Sequence, residues 1–138
     1  MKPSIYYRVA AGLLVLFAAG HQLGFRKVDP TWNADVVASA MQATHFTVQG
    51  FTRAYWDFFS GFGFFVTAFL LFSAVLAWEL GGLSAEVLRA LWRVRWALAI
   101  CYAAIAILTW SYFFIAPGAF ATLVALCLIA GALPARAK

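Results

Sequence analysis

The chain has 138 residues, of which 65% are hydrophobic and only 11% are charged. Soluble domains carry roughly 25% charged residues, so a globular domain wetted on all sides is excluded for want of polar surface. The formal net charge of +5 does not point to nucleic acid, because the bases are scattered between apolar runs.

Charged residues cut the chain into runs of membrane length. A spanning helix needs about 20 apolar residues, with a range of roughly 17 to 25. The first run, Val9 to Phe25, is 17 residues between Arg8 and Arg26, and it predicts a helix over about 6–25. Lys2, the apolar stretch and Ala18-Ala19-Gly20 also resemble a cleavable signal peptide. The run continues to Phe25, however, which favours a retained span. Near its end His21 and Gln22 lie between Gly20 and Gly24, a GxxxG spacing that permits close helix approach.

Residues 26–54 connect the first span to the second, and a structureless loop of that length is uncommon in a compact protein. Asp29-Pro30-Thr31 and Asn33 supply helix-start chemistry. Val37, Met41, Thr44 and Val48 then recur at helical spacing, while Asp35, Ser39, Gln42 and Gln49 fall mostly on another side. Gly50 can end a helix. The pattern predicts an amphipathic helix over about 32–49, carrying His45 and lying at the outer interface.

The second span, Phe58 to Trp78, is 21 residues between Asp57 and Glu79 and predicts a helix over about 54–79. Arg53, Asp57, Ser60, Gly61, Phe64, Thr67 and Ala68 share one face at steps of three and four. An acid costs about 2.5–3.5 kcal/mol at the centre of a spanning helix and much less near the interface. The simplest expectation for Asp57 is therefore an i,i+4 pair with Arg53 at the helix end.

Gly81-Gly82 ends that helix. Ser84-Ala85-Glu86 begins another, which carries Arg89, Arg93 and Arg95 at spacings suited to snorkelling toward anionic head groups. Trp96 to Ala135 is a further run of 40 residues. A single helix of that length would measure about 60 Å, twice the hydrocarbon core. Pro117-Gly118 predicts a break, with helices over about 91–115 and 118–133 joined by a hairpin. Thr109 and Tyr112 lie near the end of the third helix, and Gly118, Ala121, Thr122 and Ala125 form a small-residue face on the fourth. Cys101 and Cys127 sit in apolar runs without a CxxC or a neighbouring His or acid, and read as buried free thiols.

With the N-terminus inside, Lys2, Arg8, Arg89, Arg93, Arg95, Arg136 and Lys138 face the cytoplasm, against Arg26, Lys27 and Arg53 outside. That bias predicts cytoplasmic termini. The expected fold is all-α: one transmembrane domain over 1–138, a four-helix bundle with an additional amphipathic helix between the first two spans.

His21, Gln22, Arg53, Asp57, Ser60, Thr109 and Tyr112 fall at similar depth toward the outer leaflet, with His45 on the outer helix. Together they make a candidate ligand pocket. His21, oriented by Asp57, could exchange protons near neutral pH, which suits a lipid, isoprenoid or quinone head group. Two histidines suffice in number for axial haem ligation. They lie on different elements without a motif, and no third ligand completes a zinc site, so no cofactor or metal is expected. Membrane lipids are the expected partners, and the small-residue faces would equally serve a partner membrane subunit or a second copy. The first functional reading is a lipid- or partner-binding membrane module without catalysis. The alternative is a small membrane enzyme or a quinone- or isoprenoid-binding protein using His21 and Asp57.

Gly20-His21 at the end of the first span, the helical outer connection, and Tyr55-Trp56-Asp57-Phe58 with Gly61-Phe62-Gly63 entering the second give the chain a layout that resembles small, uncharacterised four-helix bacterial inner-membrane proteins. The resemblance covers nearly the whole chain as architecture. It implies an inner-membrane location and no settled activity, so it carries over no catalytic residue. Size and helix number are also similar to sterol-isomerase-like and eicosanoid-enzyme membrane families. The chain lacks the intramembrane acid set of the first and the Glu/Arg/Asn helix pattern of the second.

Overall fold

A computed structural model describes residues 3–133. In chain order it contains helix α1 (Pro3–Gly24), a 3-10 turn (Pro30–Trp32), α2 (Ala34–Ala43), strands β1 (His45–Val48) and β2 (Phe51–Ala54), then α3 (Tyr55–Leu80), α4 (Ala85–Ala90), α5 (Trp92–Tyr112) and α6 (Ile115–Ala132). Helices α1, α3, α5 and α6 are each long and apolar enough to cross a membrane. A helix satisfies its backbone hydrogen bonds internally, which hydrocarbon demands. The chain is thus an all-α, multi-pass membrane protein. Much of α3 is bare of protein neighbours: Phe62, Phe65 and Phe72 are 64%, 72% and 64% exposed, as suits a surface solvated by lipid. Lys2, Arg136 and Lys138, three of the bases that predict the topology, lie outside the described residues.

The chain divides into two compact units. One comprises the chain up to Phe17 together with the chain from Leu70 onward; the other is Ala18–Phe69. Helices α1 and α3 contribute a segment to each.

The first unit packs segments of all four spans. Each buries a stripe at steps of three and four: Tyr7, Ala10, Ala11 and Leu14 on α1; Leu70, Ser73, Ala74 and Ala77 on α3; Leu98, Ala99 and Tyr102 on α5; Ala121, Val124, Ala125 and Leu128 on α6. Small residues dominate because lipid tails are as apolar as leucine. Association in the membrane therefore rests on close van der Waals approach, not on the hydrophobic effect. The small face read on the last span is buried at Gly118, Ala121 and Ala125. The break between α5 and α6 falls at Phe113-Phe114, not at Pro117-Gly118. Pro117 occupies the first turn of α6, where a backbone N–H has no intrahelical acceptor to lose. Gly118 serves packing: a Cβ there would sit 2.8 Å from the Trp110 ring. Trp110 Nε1–H also donates to Thr122 Oγ1 at 2.9 Å.

Arg95 overturns the snorkelling expectation. It is only 6% exposed. Its guanidinium donates to the Tyr7 hydroxyl on α1 at 2.9 Å, to the Leu88 carbonyl on α4 at 2.7 Å, and to the Gly131 and Ala132 carbonyls of α6 at 2.7 and 3.0 Å. The last two belong to the final turn of α6, where carbonyls lack helical partners and the dipole favours a cation. Gly131 makes room for this arrangement, since a Cβ there would lie 2.9 Å from Tyr7 Cζ. Arg89 and Arg93 are exposed.

In the second unit, Asp29 caps the 3-10 turn by accepting from the Thr31 backbone N–H at 3.0 Å and its hydroxyl at 2.7 Å. These hydrogen bonds hold the Asp29 carboxyl below the usual carboxylate range. Helix α2 ends at Ala43, six residues short of the predicted boundary, and an antiparallel hairpin follows in which His45 pairs with Ala54 and Val48 with Phe51. Thr44, Phe46, Thr47, Val48, Phe51 and Thr52 are β-branched or aromatic, types that prefer the pleated strand to the helix. Gln49 and Gly50 have φ of 52° and 83°, which matches a two-residue type I′ loop.

The hairpin delivers the chain to α3. Asp57 Oδ2 accepts the Ala54 backbone N–H at 2.8 Å. This is the reach-back half of a capping box, in which an acid at the third helical position satisfies the N-cap N–H. Its charge also complements the helix dipole. Such a cap contributes about 1 kcal/mol. Asp57 is exposed at the helix start, where an acid costs much less than at the centre of a span.

Candidate functional site

His21, near the end of α1, points its ring at α3. Its Nε2 lies 3.0 Å from the Gly63 carbonyl. A carbonyl can only accept, so Nε2 carries the proton. The ring stacks on Phe25, with centroids 4.9 Å apart. One position on, Gln22 Oε1 lies 3.1 Å from the Thr67 hydroxyl, which is also 3.2 Å from the Gly63 carbonyl. Two polar residues at the end of an apolar helix thus find partners on α3, as polar groups in membrane helices must. The glycine that permits this approach is Gly63, where a Cβ would overlap the Phe25 ring. Gly20 and Gly24 have open space where a Cβ would stand, so the GxxxG pair is not the contact.

The remaining candidates are engaged elsewhere. Arg53 lies in β2, outside the helix, so helical i,i+4 geometry to Asp57 does not apply. Its guanidinium donates to the Thr52 carbonyl at 2.8 Å and lies 5.5 Å from the Phe51 ring. The expected Arg53–Asp57 pair is replaced by the Asp57 cap. Nor does a hydrogen bond or ion pair join Asp57 to His21: the histidine is held by Gly63 and the acid by Ala54. His45, exposed on β1, donates its Nδ1–H to the Ala43 carbonyl at 2.9 Å. Ser60 is half-buried on α3. Thr109 and Tyr112 belong to the other unit, where Thr109 bonds back to the Ala106 carbonyl at 2.9 Å and Tyr112 is 78% exposed. Among the described residues, no three His, Cys, Asp or Glu side chains are grouped to hold a metal ion.

A different feature of the second unit has the form of a binding site. Under α2 lies a groove of about 320 Å³, at the lower end of the range of small-molecule sites. Arg26 and Lys27 contribute charge to its lining, Trp32 and Trp56 aromatic surface, and Val37 and Met41 aliphatic surface. No acid lines it. Local structure places each part. The last turn of α1 ends at Gly24 and turns the two bases outward. The capped 3-10 turn sets Trp32 and starts α2, which supplies Val37, Ala38 and Met41 to the lining. Asp57 fixes the first turn of α3 and with it Trp56. The Arg26 guanidinium lies 5.3 and 5.1 Å from the Phe25 and Phe64 rings, a cation–π arrangement that leaves its N–H groups available.

The sequence reading counts Arg26 and Lys27 only as topology charges. The signal that marks them is the step Phe25-Arg26-Lys27 at the end of a span, followed by Trp32 and the apolar positions of α2. Protein-family models, curated proteins and solved structures were each compared with the chain, and none matches it.

Proposed function

We propose that this multi-pass membrane protein is a non-catalytic module that holds an anionic amphiphile, a membrane lipid with an acidic head group, in the groove under α2. The observation that carries the reading is two bases beside a groove that is otherwise aromatic and aliphatic, with no acid in its lining. A head group would take hydrogen bonds from Arg26 and Lys27, and its apolar part would lie against Trp32, Val37 and Met41. His21 and Asp57 are each committed to a backbone group, so they do not form the proton-exchanging pair that a membrane enzyme or quinone site would use.

The test is lipid binding by native mass spectrometry of the detergent-purified protein. Phosphatidylglycerol should bind at least about tenfold more weakly to Arg26→Gln/Lys27→Gln, since a charge-assisted hydrogen bond contributes roughly 1.5–3 kcal/mol. Phosphatidylcholine binding should be indifferent to the change. Equal phosphatidylglycerol binding by both proteins would remove the reading.

We propose a bacterial inner-membrane location, on the resemblance of the layout to small proteins of that membrane, with both termini cytoplasmic, as the distribution of Lys and Arg favours. Single cysteines introduced at Gln49 and Glu86, in a Cys101→Ser/Cys127→Ser background, check this in intact cells. A membrane-impermeant maleimide should label the first and spare the second; the reverse pattern would invert the topology.

A further inference from the structure

We propose that Arg8, Trp78 and the Gly81-Gly82 turn, in the first unit, form a second site, which binds the phosphate group of an anionic phospholipid. This inference stands on residues separate from the groove under α2 and does not depend on it.

The argument begins with how Arg8 is held. Its guanidinium carbon lies 3.6 Å from the centroid of the Trp78 ring, close cation–π stacking that fixes the plane of the group. The turn after α3 also packs against it. A Cβ at Gly81 would come 3.0 Å from Arg8 Nε and 3.1 Å from Cδ, and one at Gly82 would come 3.3 Å from an Arg8 terminal nitrogen. Two consecutive glycines leave this space, and the arginine side chain fills it.

What Arg8 lacks is an acceptor. Among the described residues, one of its terminal nitrogens is buried without a hydrogen-bond partner. Arg95 shows how the same fold treats a structural arginine, with four hydrogen bonds to named acceptors. A guanidinium cannot shed its charge, and a buried donor left unpaired costs free energy. A guanidinium held by the Trp78 stack and the Gly81-Gly82 turn, with no hydrogen bond to a described residue, is preorganised for an anion.

Beside it is a cavity of about 440 Å³, lined by Ser4, Ile5, Arg8, Val9 and Gly81. Arg8 and Ser4 are the polar side chains of its lining, and both types suit phosphate oxygens. Its apolar side continues along α1. Val9 is 47% exposed and Leu16 is 59% exposed, at i and i+7, with exposed Gly12 between them. That track runs toward the middle of the span and fits an acyl chain, which selects a phospholipid over a soluble phosphate ester.

Trp78 provides a reporter at the site. The purified full-length protein in neutral detergent is titrated with phosphatidylglycerol, phosphatidylcholine or inorganic phosphate. The Trp78 signal is taken as the emission of the wild-type protein less that of Trp78→Phe. Phosphatidylglycerol should give a saturable change, and Arg8→Gln should shift its midpoint at least about tenfold. Arg26→Gln/Lys27→Gln should leave this midpoint in place, which separates the site from the groove. A response to phosphatidylglycerol but not to phosphatidylcholine or inorganic phosphate supports the lipid. An equal response to inorganic phosphate overturns the lipid assignment. Ile5→Glu, at a position already 43% exposed, adds an acid to the cavity lining without removing the stack, and should weaken binding comparably if Arg8→Gln fails to fold. Wild-type binding by a folded Arg8→Gln or Ile5→Glu variant overturns the site, and so does the absence of any Trp78-dependent change.

Discussion

Arg95→Met is expected to destabilise the protein by about 3–5 kcal/mol, the range found when one partner of a buried charged interaction is removed. Methionine keeps much of the apolar stem and removes the fork. Four acceptors then lose their donor: the Tyr7 hydroxyl, the Leu88 carbonyl, and the Gly131 and Ala132 carbonyls. Each buried acceptor left unpaired costs about 1–3 kcal/mol. Relaxation of the last turn of α6 toward the interface recovers part of that, so the sum is an upper bound. Arg95→Lys should lose nearly as much, because a point charge with three donors cannot span acceptors on three helices. Tyr7→Phe removes one partner only and should cost about 1.5–3 kcal/mol. The measurement is unfolding in mixed micelles as the fraction of sodium dodecyl sulfate rises, followed by circular dichroism. Arg95→Met should unfold at the lowest detergent fraction of the three. A midpoint equal to that of the wild-type protein would mean that Arg95 does not hold α1, α4, α5 and α6 together.

How far such features can be read in advance depends on the kind of signal each leaves. The four spans are legible because an apolar run of about 20 residues is a property of composition and survives errors of a residue or two at its ends. The role of Arg95 leaves a subtler trace. It stands in register with Leu98, Ala99 and Tyr102, at i, i+3, i+4 and i+7 of one face. Arg93 is off that register, so the two arginines share a chemistry and differ only in phase. The hairpin was hidden for another reason. Val37, Met41, Thr44 and Val48 match a helical period, and Gln49-Gly50 is not the Asn-Gly or Asp-Gly pair that announces a type I′ loop. Residue type, not period, carried the correct information there. Asp57 was legible as an interfacial acid but not as a cap, because its partner is a backbone N–H and leaves no mark in the side-chain pattern. The same holds for His21, whose acceptor is the Gly63 carbonyl. The groove was illegible for the further reason that it needs α2, the turn and α3 placed together.

Gly63 supplies the sharpest test of the second unit, because two effects of known sign oppose each other there. In a helix interior, replacing glycine with alanine favours folding by up to about 1 kcal/mol. At Gly61 a new Cβ would meet nothing within 4 Å, so Gly61→Ala should be neutral or stabilising. At Gly63 the Cβ would overlap the Phe25 ring, with Phe25 Cζ at 2.8 Å. Phe25 is not free to yield. It is stacked on His21 and in contact with Phe59 and Phe64, at centroid distances of 4.9, 6.1 and 5.7 Å. Overpacking of this kind costs about 1–3 kcal/mol, which exceeds the propensity gain, and displacing the ring also strains the hydrogen bond from His21 to the Gly63 carbonyl. Gly63→Ala should therefore destabilise, and Gly63→Val should do so by about 3 kcal/mol or more, since β-branching adds volume against the same ring. Phe25→Ala removes the obstacle at the cost of its own packing. In the double variant Gly63→Ala/Phe25→Ala the glycine substitution should regain its favourable sign, so the two changes couple by at least about 1 kcal/mol in a double-mutant cycle. If Gly63→Ala instead behaves like Gly61→Ala in the same unfolding titration, the close approach of α1 to α3 at this level is not what holds His21 and Gln22 in place.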